Sequence, residues 1–158
     1  MKKKTDDRNY KKRFEKGFEM LCSSKSTYQV WSDCMALFAI TLANQSILPM
    51  TKDKRFKEIW DKREKEYLRI INSYSKKEQK LFPQMFALIV EELEERPNQD
   101  LLGELYMMLQ IHNKNAGQFF TPYDVCEVMS KLTFDRKELG KTVHKKGYAN
   151  VYDLSLIH

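Results

Sequence analysis

Apolar residues recurring at intervals of three and four constrain this chain most, because that spacing lines one face of a helix and no face of a strand. Tyr10, Phe14, Phe18 and Leu21 form the first such stripe, between Asp6 and Leu21. After the polar break Ser23-Ser-Lys-Ser26, the residues Val30, Trp31, Cys34, Met35, Phe38 and Leu42 make a stripe wide enough to predict a helix buried on most sides. Phe56, Ile59, Trp60, Tyr67, Ile70, Ile71 and Tyr74 continue the period on a long charged helix beyond Pro49 and Thr51. Ser75 and Glu78 have the spacing of a capping box, so a fourth helix starts there, with Phe82, Met85, Phe86, Ile89 and Leu93 inward. Pro83 requires that helix to begin near Lys80 or to kink. Asp100 caps a fifth segment carrying Leu102, Leu105, Tyr106 and Leu109, and a sixth runs from Pro122 to Leu132. Past Thr133 the periodicity fades, and Tyr148-Ala-Asn-Val-Tyr152 has the alternation of a strand. The expectation is a mainly α fold, a helical bundle of about six helices, with a short C-terminal strand as its single β element.

Composition narrows the class. The chain has 158 residues, enough for one core, and its three cysteines (Cys22, Cys34, Cys126) are too scattered for a disulfide framework or a zinc site. The longest apolar run, Cys34 to Ala43, is too short to span a bilayer, and the basic start Met1-Lys-Lys-Lys4 leads into further charge, so a cytoplasmic protein without membrane contact is the simplest reading. Residues 51–80 mix eleven basic with six acidic side chains, the usual look of a solvated helix, although a basic face also suits DNA phosphates. Glu91, Glu92, Glu94 and Glu95 would split around Leu93 on a helix, so they predict a solvated face rather than a metal site. The methionines read as core filler and His112 as a surface residue.

One segment carries chemistry. In Asn115-Ala-Gly-Gln-Phe-Phe-Thr-Pro-Tyr-Asp-Val-Cys-Glu-Val-Met129, Thr121 predicts an N-cap, Pro122 suits the first helical position, and Asp124 complements the helix dipole. The helix start offers N–H groups to a carboxylate, while Phe119 and Phe120 offer aromatic faces to a cation. S-adenosylmethionine carries both groups. A Thr-Pro helix start after two core aromatics is, by itself, an ordinary structural feature.

Gly117-Gln-Phe-Phe-Thr-Pro122 with Val125 and Met129, preceded by Asp100-Leu-Leu-Gly103 and Tyr106, resembles motif X of adenine-N6 DNA methyltransferases, especially the modification subunits of type I restriction systems. The resemblance covers residues 100–132. It implies that Gln118, Phe119, Phe120 and Thr121 line an S-adenosylmethionine pocket, with Thr121 near the methionine carboxylate. Val125 and Met129 would pack the helix on the catalytic sheet, and Asp100, Gly103 and Tyr106 would hold the preceding helix against this element. DNA is the implied substrate, and a specificity or partner subunit the implied companion.

The rest of that family's pattern is missing here. Motif I should continue from Val151-Tyr152-Asp153 into a glycine loop, but Leu154-Ser-Leu-Ile-His158 follows instead. The five glycines make no Gly-x-Gly, and the four prolines are never adjacent, so no Asn/Asp-Pro-Pro-aromatic tetrapeptide is present. The resemblance thus implies three parts: a helical domain over residues 1–112, the motif X loop and helix over 113–132, and a truncated, disordered start of a catalytic domain over 133–158. Such a chain is expected to be inactive alone, with no catalytic or metal residues of its own and no tight cofactor binding. Its uncovered motif X face would favour a homodimer. The alternative is a non-enzymatic helical module that binds DNA or a partner subunit.

Overall fold

The computed structural model describes residues 7–111 and 121–150. Two compact units divide the chain, residues 1–118 and 119–158. The fold is mainly α-helical, and no strand occurs among the described residues.

The first unit contains α1 (Asp7–Leu21), α2 (Thr27–Ile47), a 3-10 turn (Leu48–Met50), α3 (Lys54–Ile71), α4 (Lys76–Gln79), α5 (Leu81–Glu95) and α6 (Leu101–Met108). The predicted stripe of α1 is buried in full, Tyr10, Phe14, Phe18 and Leu21 all facing the core. They meet Val30, Cys34, Leu37 and Phe38 of α2, Phe82, Met85, Leu88 and Ile89 of α5, and Leu101 and Leu105 of α6. Aromatic rings link the helices: Phe14 stacks on Phe18 at 6.4 Å, Phe18 meets Trp31 edge-on, and Trp31 meets Tyr106 edge-on at 5.7 Å. Gly17 lies where α5 crosses α1, since a Cβ there would come within 3.2 Å of Met85.

α2 and α3 form an antiparallel hairpin. Tyr74 just past α3 reaches Asp33, while Arg63 donates to the carbonyl of Ala43 and Asn44 donates to Glu64, so the partners run in opposite directions. The far half of this hairpin extends past the core. Leu42 is therefore exposed, as is Ile59, and α2 is not buried on most sides as its broad stripe suggests. α3 holds its charged face in i,i+3 and i,i+4 pairs, among them Arg69 with Glu66 and Lys57 with Asp61. At the near end of the hairpin the buried Asp33 carboxylate accepts from the Tyr74 hydroxyl at 2.6 Å, from Gln29 at 2.8 Å and from Lys25 at 3.3 Å.

Local signals set the boundaries of α4 to α6. Ser75 and Glu78 make both bonds of the capping box, the Ser75 N–H donating to the Glu78 carboxylate at 2.7 Å. α5 then begins at Leu81, which places Pro83 in its first turn, where a missing N–H loses no helical bond. Asp100 caps α6 by accepting from the Gly103 N–H at 2.9 Å.

The second unit contains α7 (Tyr123–Thr133) and α8 (Arg136–Lys146). α8 lies beyond Thr133, where the fading apolar period predicted no helix. Asp135 caps its start by accepting from the N–H groups of Lys137 and Glu138, and Gly147 ends it in the left-handed region at φ 80°. Of the expected strand, Tyr148, Ala149 and Asn150 are irregular, and the remainder lies outside the described residues. The added helices are α8 and the separate α4, which together raise the count above the six expected from periodicity. No described helix is long and apolar enough to cross a membrane.

Candidate functional site

The candidate cofactor wall centres on the start of α7. Gln118, Phe119 and Phe120 lie outside the described residues, whereas Thr121 is exposed immediately before the helix. Thr121 does not cap α7. Pro122, at φ −54° and ψ 140°, is the cap residue, no side chain caps the helix, and the first helical residue is Tyr123. Pro122 is itself extended rather than helical, so the cap position falls on the proline and Thr121 stands one position too early for its hydroxyl to reach the first-turn N–H groups. The Pro122 carbonyl instead accepts from Val125 at 3.0 Å and Cys126 at 3.1 Å.

Without a side-chain cap, the positive end of α7 keeps donors for an anion, and Asp124 in its first turn offsets part of the dipole. The Thr121 carbonyl is occupied by a long contact from the Cys126 thiol at 3.7 Å.

Along α7 the apolar residues share one face and meet solvent. Val125 is 46% exposed, Val128 55%, Met129 58% and Leu132 83%. Their i, i+3, i+4, i+7 spacing is that of a helix face made to be covered. Each large apolar side chain left in water forgoes roughly 1.5–3 kcal/mol of burial. At the corner between α7 and α8 an open cavity of about 250 Å³ is lined by Ser130, Lys131, Phe134, Arg136 and Leu139.

The upstream residues of the resemblance make local contacts within the first unit. Asp100 and Gly103 act together: a Cβ at position 103 would come within 2.0 Å of the Asp100 carboxylate, so glycine there makes room for the cap. Tyr106 is edge-on to Trp31 of α2.

Among the described residues no nucleophile or metal centre emerges elsewhere. Burial pushes the Cys34 thiol well above its ordinary value, with the neighbouring Asp33 carboxylate adding to the effect. Such a thiol is unreactive. Tyr74 is likewise pushed up, first by burial and then by its bond to Asp33. No cluster of three or more histidine, cysteine or carboxylate side chains able to hold a metal occurs among the described residues. Reading the sequence by apolar period passed over α8, whose signals were polar: Asp135 three residues before Glu138, and Gly147 after a basic last turn.

No protein-family model matches the chain, and no curated protein or solved structure matches it either.

Proposed function

We propose that this chain supplies the helical N-terminal region and the cofactor wall of an S-adenosylmethionine-dependent adenine-N6 DNA methyltransferase. The observation that carries the reading is the exposed face Val125, Val128, Met129 and Leu132, which lies on the helix that the motif X resemblance assigns to packing on a catalytic sheet. An apolar stripe four residues long and open to water has a purpose once a sheet covers it.

In that setting the uncapped N-terminus of α7 and the uncommitted Thr121 hydroxyl suit the methionine carboxylate of the cofactor. Phe119 and Phe120 would face its sulfonium, and Gln118 would complete the wall. The cofactor supplies the methyl group, transferred in this family to the exocyclic amine of a flipped-out adenine. Groups that hold that amine are not among the motifs of this chain, so the chain by itself is proposed to be inactive. The closed core of the first unit favours one other reading, a self-sufficient helical module that binds DNA or a partner subunit without chemistry.

Calorimetric titration with S-adenosylmethionine separates the two readings. The chain alone should show no micromolar binding, because one wall does not preorganise a pocket. A longer product carrying whatever the gene encodes after codon 158, in whichever frame contains Pro-x-x-Gly-x-Gly, should bind it. Micromolar affinity of the chain alone, or no glycine motif in any of the three frames, would defeat the methyltransferase reading.

A further inference from the structure

α8 holds five lysine and arginine residues and one glutamate in eleven positions. Lys137, Lys141 and Lys145 follow one another at i, i+4 and i+8, with His144 beside them, and all four are exposed. Leu139 and Thr142 are the half-buried residues of the helix, and Leu139 turns towards Phe134 and Ser130 at the α7–α8 corner. Helical geometry puts the lysine row roughly opposite Leu139, and therefore outward.

A solvated charged face is the ordinary explanation of such a run, and α3 shows what that looks like. α3 carries seven basic and four acidic residues, tied by three ion pairs along the helix. On α8 the single glutamate, Glu138, pairs with Lys141. The helix dipole accounts for His144, Lys145 and Lys146 in the last turn, where cations are favourable. It does not account for Arg136 and Lys137. They stand in the first turn, at the positive end, where a cation is unfavourable. That placement opposes local helix stability and concentrates charge on one outward row.

We propose that the row Lys137, Lys141 and Lys145, with His144, docks on the phosphate backbone of duplex DNA. The row spans about 12 Å along the helix at 1.5 Å per residue. One DNA strand presents a phosphate roughly every 3.4 Å of axis, so three or four fall within that length. Lysine is a point charge without planar selectivity, so the contact positions the nucleic acid and does not read its sequence. The choice of duplex DNA rests on the methyltransferase reading; the presence of an anion-docking row does not.

The test is fluorescence anisotropy of a labelled duplex with the full chain between about 50 and 200 mM salt, the range over which phosphate contacts show their salt dependence. In a variant carrying Lys137→Gln, Lys141→Gln and Lys145→Gln, the slope of log K against log salt should fall by about 2.7, or 0.9 per lysine. Affinity at 100 mM salt should drop at least roughly tenfold. The triple Arg55→Gln, Lys62→Gln and Lys65→Gln on α3 removes equal charge and should change affinity less than about threefold, as dispersed rim charges do. Lysine-to-arginine replacement of the α8 row should retain binding, and Lys137→Gln alone should lower the slope by about 0.9, which keeps the test decisive if the glutamine triple misfolds. Equal losses from the α3 and α8 triples, an unchanged slope, or tighter binding to single-stranded RNA or to phosphatidylserine vesicles than to duplex DNA would overturn the proposal. Duplex binding through α8 in a protein whose gene lacks the glycine motif would leave this inference standing and the methyltransferase reading fallen.

Discussion

The two units are built from similar helices and stabilised by different means. The first sequesters side chains completely: Phe14, Leu21, Val30, Cys34 and Leu105 have no measurable exposure. In the second, no described residue is buried, although α7 has an apolar face as regular as that of α1. Two helices of eleven residues each cannot enclose a core between them, and helices shorter than about 12–15 residues are marginal in water by themselves. The second unit therefore depends on end effects, namely the Asp135 cap, the Gly147 terminator and pairs such as Lys131 with Glu127 at 2.6 Å. Burial in one unit and its absence in the other divide a closed core from an exposed apolar face.

Thiol labelling should give the largest contrast between them. Cys126 is exposed and should react in the native protein, whereas Cys34 is buried and its thiol is pushed up by that burial. If Cys34 reacts only on unfolding of the core, its protection should be at least about a thousandfold, since folded domains are stable by about 5 kcal/mol or more. Comparable labelling rates for the two thiols would break the comparison outright.

Truncation of core against face sharpens it next. Phe14→Ala should destabilise by about 3–5 kcal/mol, as loss of a buried phenyl ring does. Leu132→Ala should stay within about 0.5 kcal/mol, in the manner of surface substitutions. Urea titration followed by tryptophan fluorescence measures the first, because Trp31 packs against the core beside Phe18, and amide hydrogen exchange along α7 measures the second. A cost above about 1 kcal/mol at Leu132, beyond the surface range, would mean that the α7 face is already covered, by self-association for instance.

The two cap positions give the smallest difference. Asp100→Ala removes a bond that α6 makes and should cost about 1 kcal/mol. Thr121→Ala removes no cap and should be neutral within about 0.5 kcal/mol. A cost at Thr121 equal to that at Asp100, read by amide hydrogen exchange along α7 and α6, would show that Thr121 caps α7 after all.

Much of the first unit was legible because its signals are local or periodic. The α1 stripe, the Ser75 and Glu78 box, the early place of Pro83 in α5 and the Asp100 cap each follow from a few neighbouring residues. Leu42 and Ile59 were misleading for a physical reason: periodicity identifies the apolar face of a helix but not whether another element reaches it. Thr121 failed differently: its residue type suits a cap, but α7 starts one residue later than the Thr-Pro pair suggests, with Pro122 still extended at the cap position. α8 was hidden because its outward row of lysines left too few apolar residues for a period to register. Of the proposed wall residues, Gln118, Phe119 and Phe120 fall outside the described residues, so the site was legible only as far as the helix start that follows them.

By itself the sequence determined that this protein is helical, where most of its helices begin and which face of each is apolar, because caps and 3.6-residue spacing act over a single turn or two. Tertiary structure decided which of those faces are buried. Burial depends on whether distant segments have the length and number to cover one another, and that condition is met around Phe14 and Phe18 but not around Val128 and Met129.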